Sequence, residues 1–297
     1  MAPPTAPAPS GPRNGRRAGR ILRRVLLFLV AAACLAALAL AARTARTDRD
    51  WAEEVSRQPT ARTMVDGTVA LNDVREWDYD ENGPIQRIWR NRTYDPRQLT
   101  ALWFNLDPFP AWDGVAHTFL TFEFGPDAPQ RYLGVSVEAR KQRGQAYSGL
   151  KGLFRQYELL HVWASESDLV KRRGLYLGES VYQYRLDLTD AQIQAVFRAF
   201  VEQTQDLSRQ PRFYNTLLGN CTSELARTIR RTGGEIPWHF SYYLTGYADR
   251  YLHRLGYIAP AAADFTEIRQ EARMNSRILA HAATSGDVFS DAIRRLR

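Results

Sequence analysis

The sequence predicts an α+β fold, an antiparallel sheet with helices packed on one side, preceded by one N-terminal transmembrane helix. Residues 25–42 are eighteen apolar residues without a charge, which is about the shortest run that spans a bilayer as a helix. Residues 68–188 contain several short segments with strand-like alternation, and residues 189–234 have helical periodicity. Because the strands precede the helices along the chain, we expect an α+β arrangement.

The N-terminal region predicts a membrane anchor and its orientation. Residues 1–24 are rich in Pro, Ala and Gly and contain six arginines and no acid, which is typical of a disordered basic tail. The positive-inside rule places this tail in the cytoplasm and exports everything after residue 43. We therefore expect a single-pass membrane protein with a cytoplasmic N-terminus and an exported domain. A cleaved signal peptide ending in "LALAA" is the alternative.

The charge distribution argues against a nucleic-acid partner. The chain has a net charge of +8, and residues 1–49 hold nine arginines and one acid, which leaves 31 basic and 31 acidic residues in the remainder. The exported part is therefore neutral overall, and the excess of arginine reports membrane orientation.

The exported part divides into three segments. Residues 43–65 read as a helical stalk or linker broken near Pro59, residues 66–260 as one folded domain, and residues 261–297 as a helical extension. Within the domain, strand-like alternation or β-rich composition is found in six segments: 68–74, 85–91, 113–124, 131–140, 157–165 and 179–188.

Two helices follow the predicted strands. Residues 189–208 have a Thr cap and apolar residues at three-and-four spacing, as in an amphipathic helix. A second helix begins near Asn220 and ends at the Gly233-Gly234 pair.

Residues 113–124 and 131–140 predict an antiparallel hairpin whose register brings polar side chains together. With the turn centred between Asp127 and Ala128, paired positions sum to 255. His117 then faces Glu138, and Ser136 lies diagonally on the same face. A carboxylate beside an imidazole fixes its tautomer and supports the imidazolium.

Cys221 is the candidate nucleophile. The only other cysteine, Cys34, lies in the predicted transmembrane segment, so an intramolecular disulfide is excluded and Cys221 is either a reactive thiol or an inert buried one. If Asn220 caps the helix, Cys221 lies in its first turn, where free N–H groups and the helix dipole stabilise a thiolate. His117 is the best placed base, although a histidine in mid-strand is also compatible with a core position.

We expect no metal and no cofactor. One exported cysteine and scattered histidines provide no zinc-ligand spacing. The sequence also contains no Gly-rich phosphate loop and no G-x-S-x-G elbow.

Four segments resemble one family: "AHTFLTFEF", "GVSVEARKQRGQAYSGLKGLFRQYELLHV", "YNTLLGNCTSEL" and "GYADRYLHRLGYI". They are similar to successive parts of the N-terminal periplasmic domain of Lnb-type bacterial lipoprotein N-acyltransferases, over roughly residues 75–260. The order of His strand, second strand and Cys helix also resembles circularly permuted papain-like hydrolases and acyltransferases.

The resemblance implies a thiol enzyme in the periplasm, held by its N-terminal helix in the inner membrane. Cys221 would be the nucleophile, His117 the base, and a polar residue on the next strand would orient the histidine. The family transfers an acyl chain from the lipid glycerol of a lipoprotein to its N-terminal amine, so the implied partner is a lipid or lipoprotein of the bacterial envelope.

We therefore predict a membrane-anchored periplasmic acyltransferase or hydrolase that acts through an acyl-thioester. Glu138 would hold His117, and Arg140 would contact a substrate anion or, alternatively, pair with Glu158. Asn220 would cap the helix and, at the site, border the substrate. The other hypotheses are a cell-wall peptidase or amidase with the same dyad, and a non-catalytic envelope scaffold in which Cys221 is buried.

Overall fold

The computed structural model describes residues 13–259 and 264–295. The chain forms two compact units, Met1–Thr44 and Ala45–Arg297. The first contains helix α1, Arg13–Ala41, in which Ile21–Ala41 is long and apolar enough to cross a membrane, with a mean hydropathy of 2.5. The apolar run predicted over residues 25–42 therefore lies in a helix, whereas residues 1–12 of the predicted tail lie outside the described residues.

The second unit is built on an eight-stranded sheet that is mostly antiparallel. The strands of this unit are β1 Thr60–Thr63, β2 Val69–Arg75, β3 Asp78–Asp80, β4 Gly83–Gln86, β5 Trp89–Tyr94, β6 Leu99–Pro108, β7 Ala116–Phe124, β8 Tyr132–Arg140, β9 Glu158–Ser165 and β10 Tyr182–Arg185. The strand order of the large sheet is β1-β2-β9-β8-β7-β6-β10, with β5 also paired to β2, and the β2–β9 pairing is parallel. A separate two-stranded sheet joins β3 and β4.

The helices include the two predicted from periodicity. The predicted helices over residues 189–208 and from Asn220 onward are confirmed as α4 and α5, and α4 has the expected Thr189 cap with a capping box to Gln192. The helices of this unit are α2 Gly149–Leu153, α3 Glu166–Lys171, α4 Asp190–Arg209, α5 Cys221–Arg231, α6 Ala248–Arg254, α7 Phe265–Ala272, α8 Asn275–Ala280 and α9 Gly286–Arg294.

The predicted hairpin and its register are confirmed. Strands β7 and β8 pair antiparallel, with Phe119 opposite Ser136 and Leu120 opposite Val135. These pairs have the predicted sum of 255. The ladder ends at Phe119, so the two strands separate beyond it, at His117 and Glu138.

Helices pack on both faces of the sheet, so the prediction of helices on one side is wrong. Leu120 belongs to a core that contains Leu225 of α5, whereas the adjacent Phe119 belongs to a second core that contains Ile278 of α8 and Phe289 of α9. Neighbouring residues of a strand point to opposite faces. The helices of the second face have six to nine residues, too few to show a clear period in the sequence.

The predicted stalk and C-terminal extension belong to the second unit. Within residues 43–65 the structure has no α-helical stalk after Ala45: Trp51 and Val55 are buried, and β1 joins the sheet through β2. Ile278 and Phe289 are fully buried in the second core. The segments outside the described residues here are 260–263 and 296–297.

Candidate active site

A cavity of about 200 Å³ opens where β7 and β8 separate. Its lining includes His117 of β7, Glu138 of β8 and Cys221 of α5. The structure therefore brings the predicted nucleophile, base and carboxylate to one place. One wall is charged, with Arg172, Arg173 and Glu179, and the lining also includes aromatic residues: Phe109, Tyr147, Tyr214 and Tyr243.

Asn220 is the N-cap of α5, as predicted, and Cys221 is the first residue of the helix. The Asn220 side-chain oxygen accepts from the Ser223 N–H at 2.8 Å, and the Ser223 hydroxyl accepts from the Asn220 N–H at 2.9 Å. The Asn220 amide nitrogen donates to the carbonyls of Thr216 and Tyr242. Asn220 lines the cavity, and both ends of its amide bind protein groups; the capping role is thus present, whereas its contact with substrate stays a prediction.

The sulfur of Cys221 is buried beside the start of β7. It lies 3.9 Å from the carbonyl oxygen of Ala116 and 4.0 Å from the hydroxyl of Thr222, and Cys221 is 4% exposed. Burial raises the pKa of the Cys221 thiol above its ordinary value, and hydrogen bonding by Thr118 and Thr222 only partly opposes this. The resting group is a neutral thiol, so the helix start does not produce the stable thiolate that the sequence suggested.

His117, Ser136 and Glu138 form a hydrogen-bonded chain. His117 Nε2 lies 2.7 Å from the Ser136 hydroxyl, which donates to Glu138 Oε1 at 2.6 Å. The direct distance from Nε2 to Oε1 is 3.4 Å. The predicted pairing of His117 with Glu138 is therefore present, but Ser136, which the sequence placed on the same face, lies between them.

The hydrogen bonds among His117, Ser136 and Glu138 define the tautomer of His117. A serine hydroxyl has one proton, and the Ser136 proton goes to Glu138. Ser136 must then accept from His117, so Nε2 carries the imidazole proton and Nδ1 keeps its lone pair. Burial, and after it Arg173, lower the pKa of His117 to about 3 against the opposing effect of Glu138. His117 is consequently a neutral imidazole whose basic nitrogen is Nδ1.

Arg173, on the charged wall of the cavity, holds Glu138 in place by a hydrogen bond. It was not among the residues predicted from the sequence. Its guanidinium donates from Nη2 to Glu138 Oε1 at 3.1 Å and from Nε to Asp107 at 3.0 Å, and it lies over the Phe119 ring, 4.9 Å from the centroid. Burial opposes ionisation of Glu138, but a protonated His117 and, while His117 is neutral, Arg173 and the Ser136 hydroxyl hold the pKa of this carboxyl well below its usual range. Glu138 therefore remains a carboxylate that accepts the serine proton.

Asp107 was also missed, because β6 was not among the predicted strands. It is the residue paired with His117 across the β6–β7 ladder, and so it lies on the same face of the sheet. The alternation of apolar residues in "LTALWFNLDP" is the signal that could have located this strand.

Cys221 and His117 share the cavity without a direct hydrogen bond. Among the described residues, the sulfur contacts Ala116, the residue that precedes His117, and no hydrogen bond joins the thiol to the imidazole. Hydrogen bonds between catalytic groups are often long in the unliganded state and shorten when substrate binds. His117 lines the same cavity, and its Nδ1 keeps the lone pair with which the imidazole can accept a proton.

Arg140 is not among the residues that line the cavity, so this geometry does not support the predicted contact with a substrate anion. It is 2% exposed, and its guanidinium donates to the carbonyls of Val55 and Ser56 and to Gln58. Glu158 is its cross-strand neighbour, but forms its ion pair with Arg49, at 3.0 Å. Arg140 thus anchors the segment before β1 to the sheet.

These features define a class of protein: an α+β domain with a cysteine–histidine cavity, on a chain that also contains an N-terminal apolar helix. The family described as the Lnb N-terminal periplasmic domain matches residues 86–245, which is more than half of the 297 residues, and the chain belongs to this family. The matched range includes His117, Ser136, Glu138 and Cys221. Comparisons with curated proteins and with solved structures give no match. The family and the apolar helix Ile21–Ala41 support a membrane-anchored protein with a periplasmic domain.

Proposed function

We propose that this protein is a membrane-anchored thiol acyltransferase or hydrolase of the bacterial envelope, in which Cys221 is the nucleophile and His117 the base. The arginine-rich N-terminus would lie in the cytoplasm and the domain from Ala45 onward in the periplasm. Its order of strand histidine and later helix cysteine is consistent with a circularly permuted papain-like arrangement.

The observation that carries this proposal is the orientation of the imidazole. Nε2–H is held by Ser136, which in turn is held by the Glu138 carboxylate, so the lone pair of Nδ1 is left for the cavity that also contains the sulfur. A nucleophile, a base and a group that orients the base are the parts that covalent catalysis needs.

The reaction begins from the neutral thiol. His117 Nδ1 accepts the proton of Cys221 as the sulfur attacks the carbonyl carbon of an ester, and the backbone N–H groups of residues 221 and 222 stabilise the oxyanion. The carbon–oxygen bond then breaks, and the departing alcohol takes the proton from the imidazole. The acyl-thioester that remains is resolved by an amine in transfer or by water in hydrolysis.

Glu138 stabilises the imidazolium of the first step through Ser136. His117 carries a positive charge only while it holds the thiol proton, and the negative charge of Glu138 favours that state. Arg173 keeps Glu138 ionised, although its own charge opposes protonation of His117. Because Glu138 favours protonation of His117 and Arg173 opposes it, His117 can hold the thiol proton briefly and then give it to the departing alcohol.

A lipid or lipoprotein substrate is the choice that fits a domain attached to the membrane. The experiment is reconstitution of the full chain in vesicles with a diacylated lipopeptide and a phospholipid, each labelled in its ester-linked acyl chains. We expect label to move to the peptide amine or to water, and expect both Cys221→Ala and His117→Ala to abolish it. Ser290→Ala is the matched control, because Ser290 is fully buried and, within the described ranges, its hydroxyl has no hydrogen-bond partner.

Two results would contradict the proposal. Transfer or hydrolysis that continues in Cys221→Ala would remove the thiol mechanism. Cleavage of a peptide amide with no reaction on either lipid would favour the peptidase or amidase hypothesis with the same dyad.

A further inference from the structure

Large exposed apolar side chains lie in the chain segments next to the residues that line the cavity. We call six of them the apolar rim: Trp112, Leu150, Leu217, Leu218, Trp238 and Phe240, with exposed fractions between 43% and 69%. Isolated exposed apolar residues are common on protein surfaces, whereas clusters of them mark an interaction site.

Contacts among four loops show that the rim is continuous. The Thr216 hydroxyl donates to the Gly149 carbonyl at 2.6 Å, which joins the loop of Leu217 and Leu218 to α2 and its Leu150. On the other side of the cysteine, Asn220 donates to the Tyr242 carbonyl at 2.7 Å, which joins the start of α5 to the turn of Phe240.

The remaining rim residues continue from that turn. The Trp238 ring lies 6.1 Å from that of Tyr243, a residue of the cavity lining, and the Phe240 ring lies 6.0 Å from that of Tyr247. The Gly246 N–H donates to the Gly114 carbonyl, which brings in the turn that carries Trp112. The rim therefore borders the opening that leads to Cys221.

The chain itself indicates what covers this surface. The apolar helix ends at Ala41 and the compact domain begins at Ala45. The four peptide units between these residues reach at most about 14 Å when fully extended. If the helix spans the membrane, the first residue of the domain is held close to the bilayer surface.

The first residues of the domain lie at the same end of the strands as the rim. The Arg46 N–H donates to Glu158 at the start of β9, and Arg49 pairs with the same carboxylate. Glu158 forms a β-bridge with Phe213, four residues before Leu217 of the rim. The part of the domain that follows the apolar helix in the chain is thus at the end of the sheet that carries the rim.

We infer that the apolar rim inserts into the interfacial region of the lipid bilayer, so that the cavity of Cys221 opens onto the membrane surface. Trp and Tyr side chains prefer this depth, where their rings are buried and their polar atoms remain hydrated. The inference relies on the proposed function only for the membrane anchor. It does not require that Cys221 reacts.

Tryptophan fluorescence of the full chain in vesicles with dibrominated phospholipids tests the inference. The apolar helix contains no Trp, and two of the seven tryptophans of the chain are in the rim. We expect the Trp112→Phe/Trp238→Phe variant to lose more than half of the bromine-quenched emission. Trp89→Phe is the matched control and should lose none, because Trp89 pairs with Arg75, which lies opposite Ala164 at the other end of β9.

Each outcome can be distinguished from failure of the proposed function. Vesicle flotation first verifies that the chain is anchored, and a chain that does not float contradicts the anchor itself. If the chain floats but the bromine-quenched emission is the same in Trp112→Phe/Trp238→Phe and in the native protein, the inference is overturned. The same result is expected if a second copy or another protein covers the rim. Cys221→Ala should be quenched as strongly as the native protein whether or not acyl transfer is observed.

Discussion

Replacement of Ser136 by Ala tests the hydrogen-bonded chain on which the proposed mechanism depends. Ser136 is fully buried and bonds His117 Nε2 at 2.7 Å and Glu138 Oε1 at 2.6 Å. The change removes both bonds with no new atoms in the core. His117 then keeps its place on β7, but the proton on Nε2 loses its acceptor.

The expected magnitude follows from the geometry. A hydrogen bond that involves a charged group contributes about 1.5–3 kcal/mol, which corresponds to roughly 10- to 150-fold in rate at 1.36 kcal/mol per factor of ten. Glu138 already lies 3.4 Å from Nε2 and can accept this proton directly after a small movement. We therefore expect the loss to be close to the lower limit, about tenfold.

The assay is the burst of 4-nitrophenol from a 4-nitrophenyl ester, which measures acylation of the cysteine by the full chain. A Cys34→Ala background leaves Cys221 as the one thiol. Ser290→Ala controls for loss of a buried hydroxyl, because within the described part of the chain that hydroxyl has no partner. If the burst rate is unchanged in Ser136→Ala and the burst still requires Cys221, the proposed role of Ser136 in orienting His117 is refuted.

Three further predictions concern the pH dependence of the site and the packing of the domain. The burst rate should be nearly constant from pH 7 to pH 5, because His117, with its pKa lowered to about 3, stays neutral over this range. In an unperturbed histidine the basic form would decrease about 30-fold by pH 5. A fall in the burst rate centred near pH 6.5 would contradict this prediction. Alkylation of Cys221 by iodoacetamide should instead rise with pH beyond the ordinary thiol range, since burial raises its pKa, and rapid labelling at pH 6 would indicate an ion pair. Gly246→Ala should lower the unfolding free energy by about 1–3 kcal/mol, because a Cβ there would overlap the carbonyl of Asp113. In Gly125→Ala, where the nearest atom would be at 3.7 Å, chemical denaturation should give a much smaller change, and equal losses in both variants would contradict the packing argument.

The same histidine makes stability depend on pH. Protonation is easier in the unfolded chain, where the pKa of histidine is about 6.5, than in the fold, where that of His117 is about 3. The contribution of the neutral imidazole to stability is therefore complete above pH 6.5 and is lost as the pH falls toward 3.

Much of the fold could be predicted because the apolar periodicity of most strands and of the long helices is visible within short stretches of sequence. The hairpin of β7 and β8 has clear alternation and a defined turn, which fixed the register that places His117 near Glu138. Strand β9 was located, but all eight of its residues are buried, so it gave no sign of which face carries helices. The short helices of the second core depend on tertiary contacts for their stability, and isolated helices of this length are marginal.

The candidate site was predicted where it depends on one helix or one hairpin, and missed where it depends on distant residues. The Asn220 cap and the position of Cys221 follow from local sequence. Arg173 reaches Glu138 from a helical turn 35 residues away, a contact that no local period encodes. The raised pKa of Cys221 was also missed, because the sequence shows that a cysteine begins a helix but not how deeply the helix start is buried.

The most direct test of the central claim is a search for the acyl-thioester. Full-length protein in vesicles is mixed with the acyl donor, quenched in acid within the first turnover, and its Cys221 peptide is weighed by mass spectrometry. The account predicts a peptide heavier by one acyl group, which hydroxylamine removes and which is absent in Cys221→Ala. Turnover of the donor without any adduct on Cys221, at the same rate in Cys221→Ala, would contradict the account.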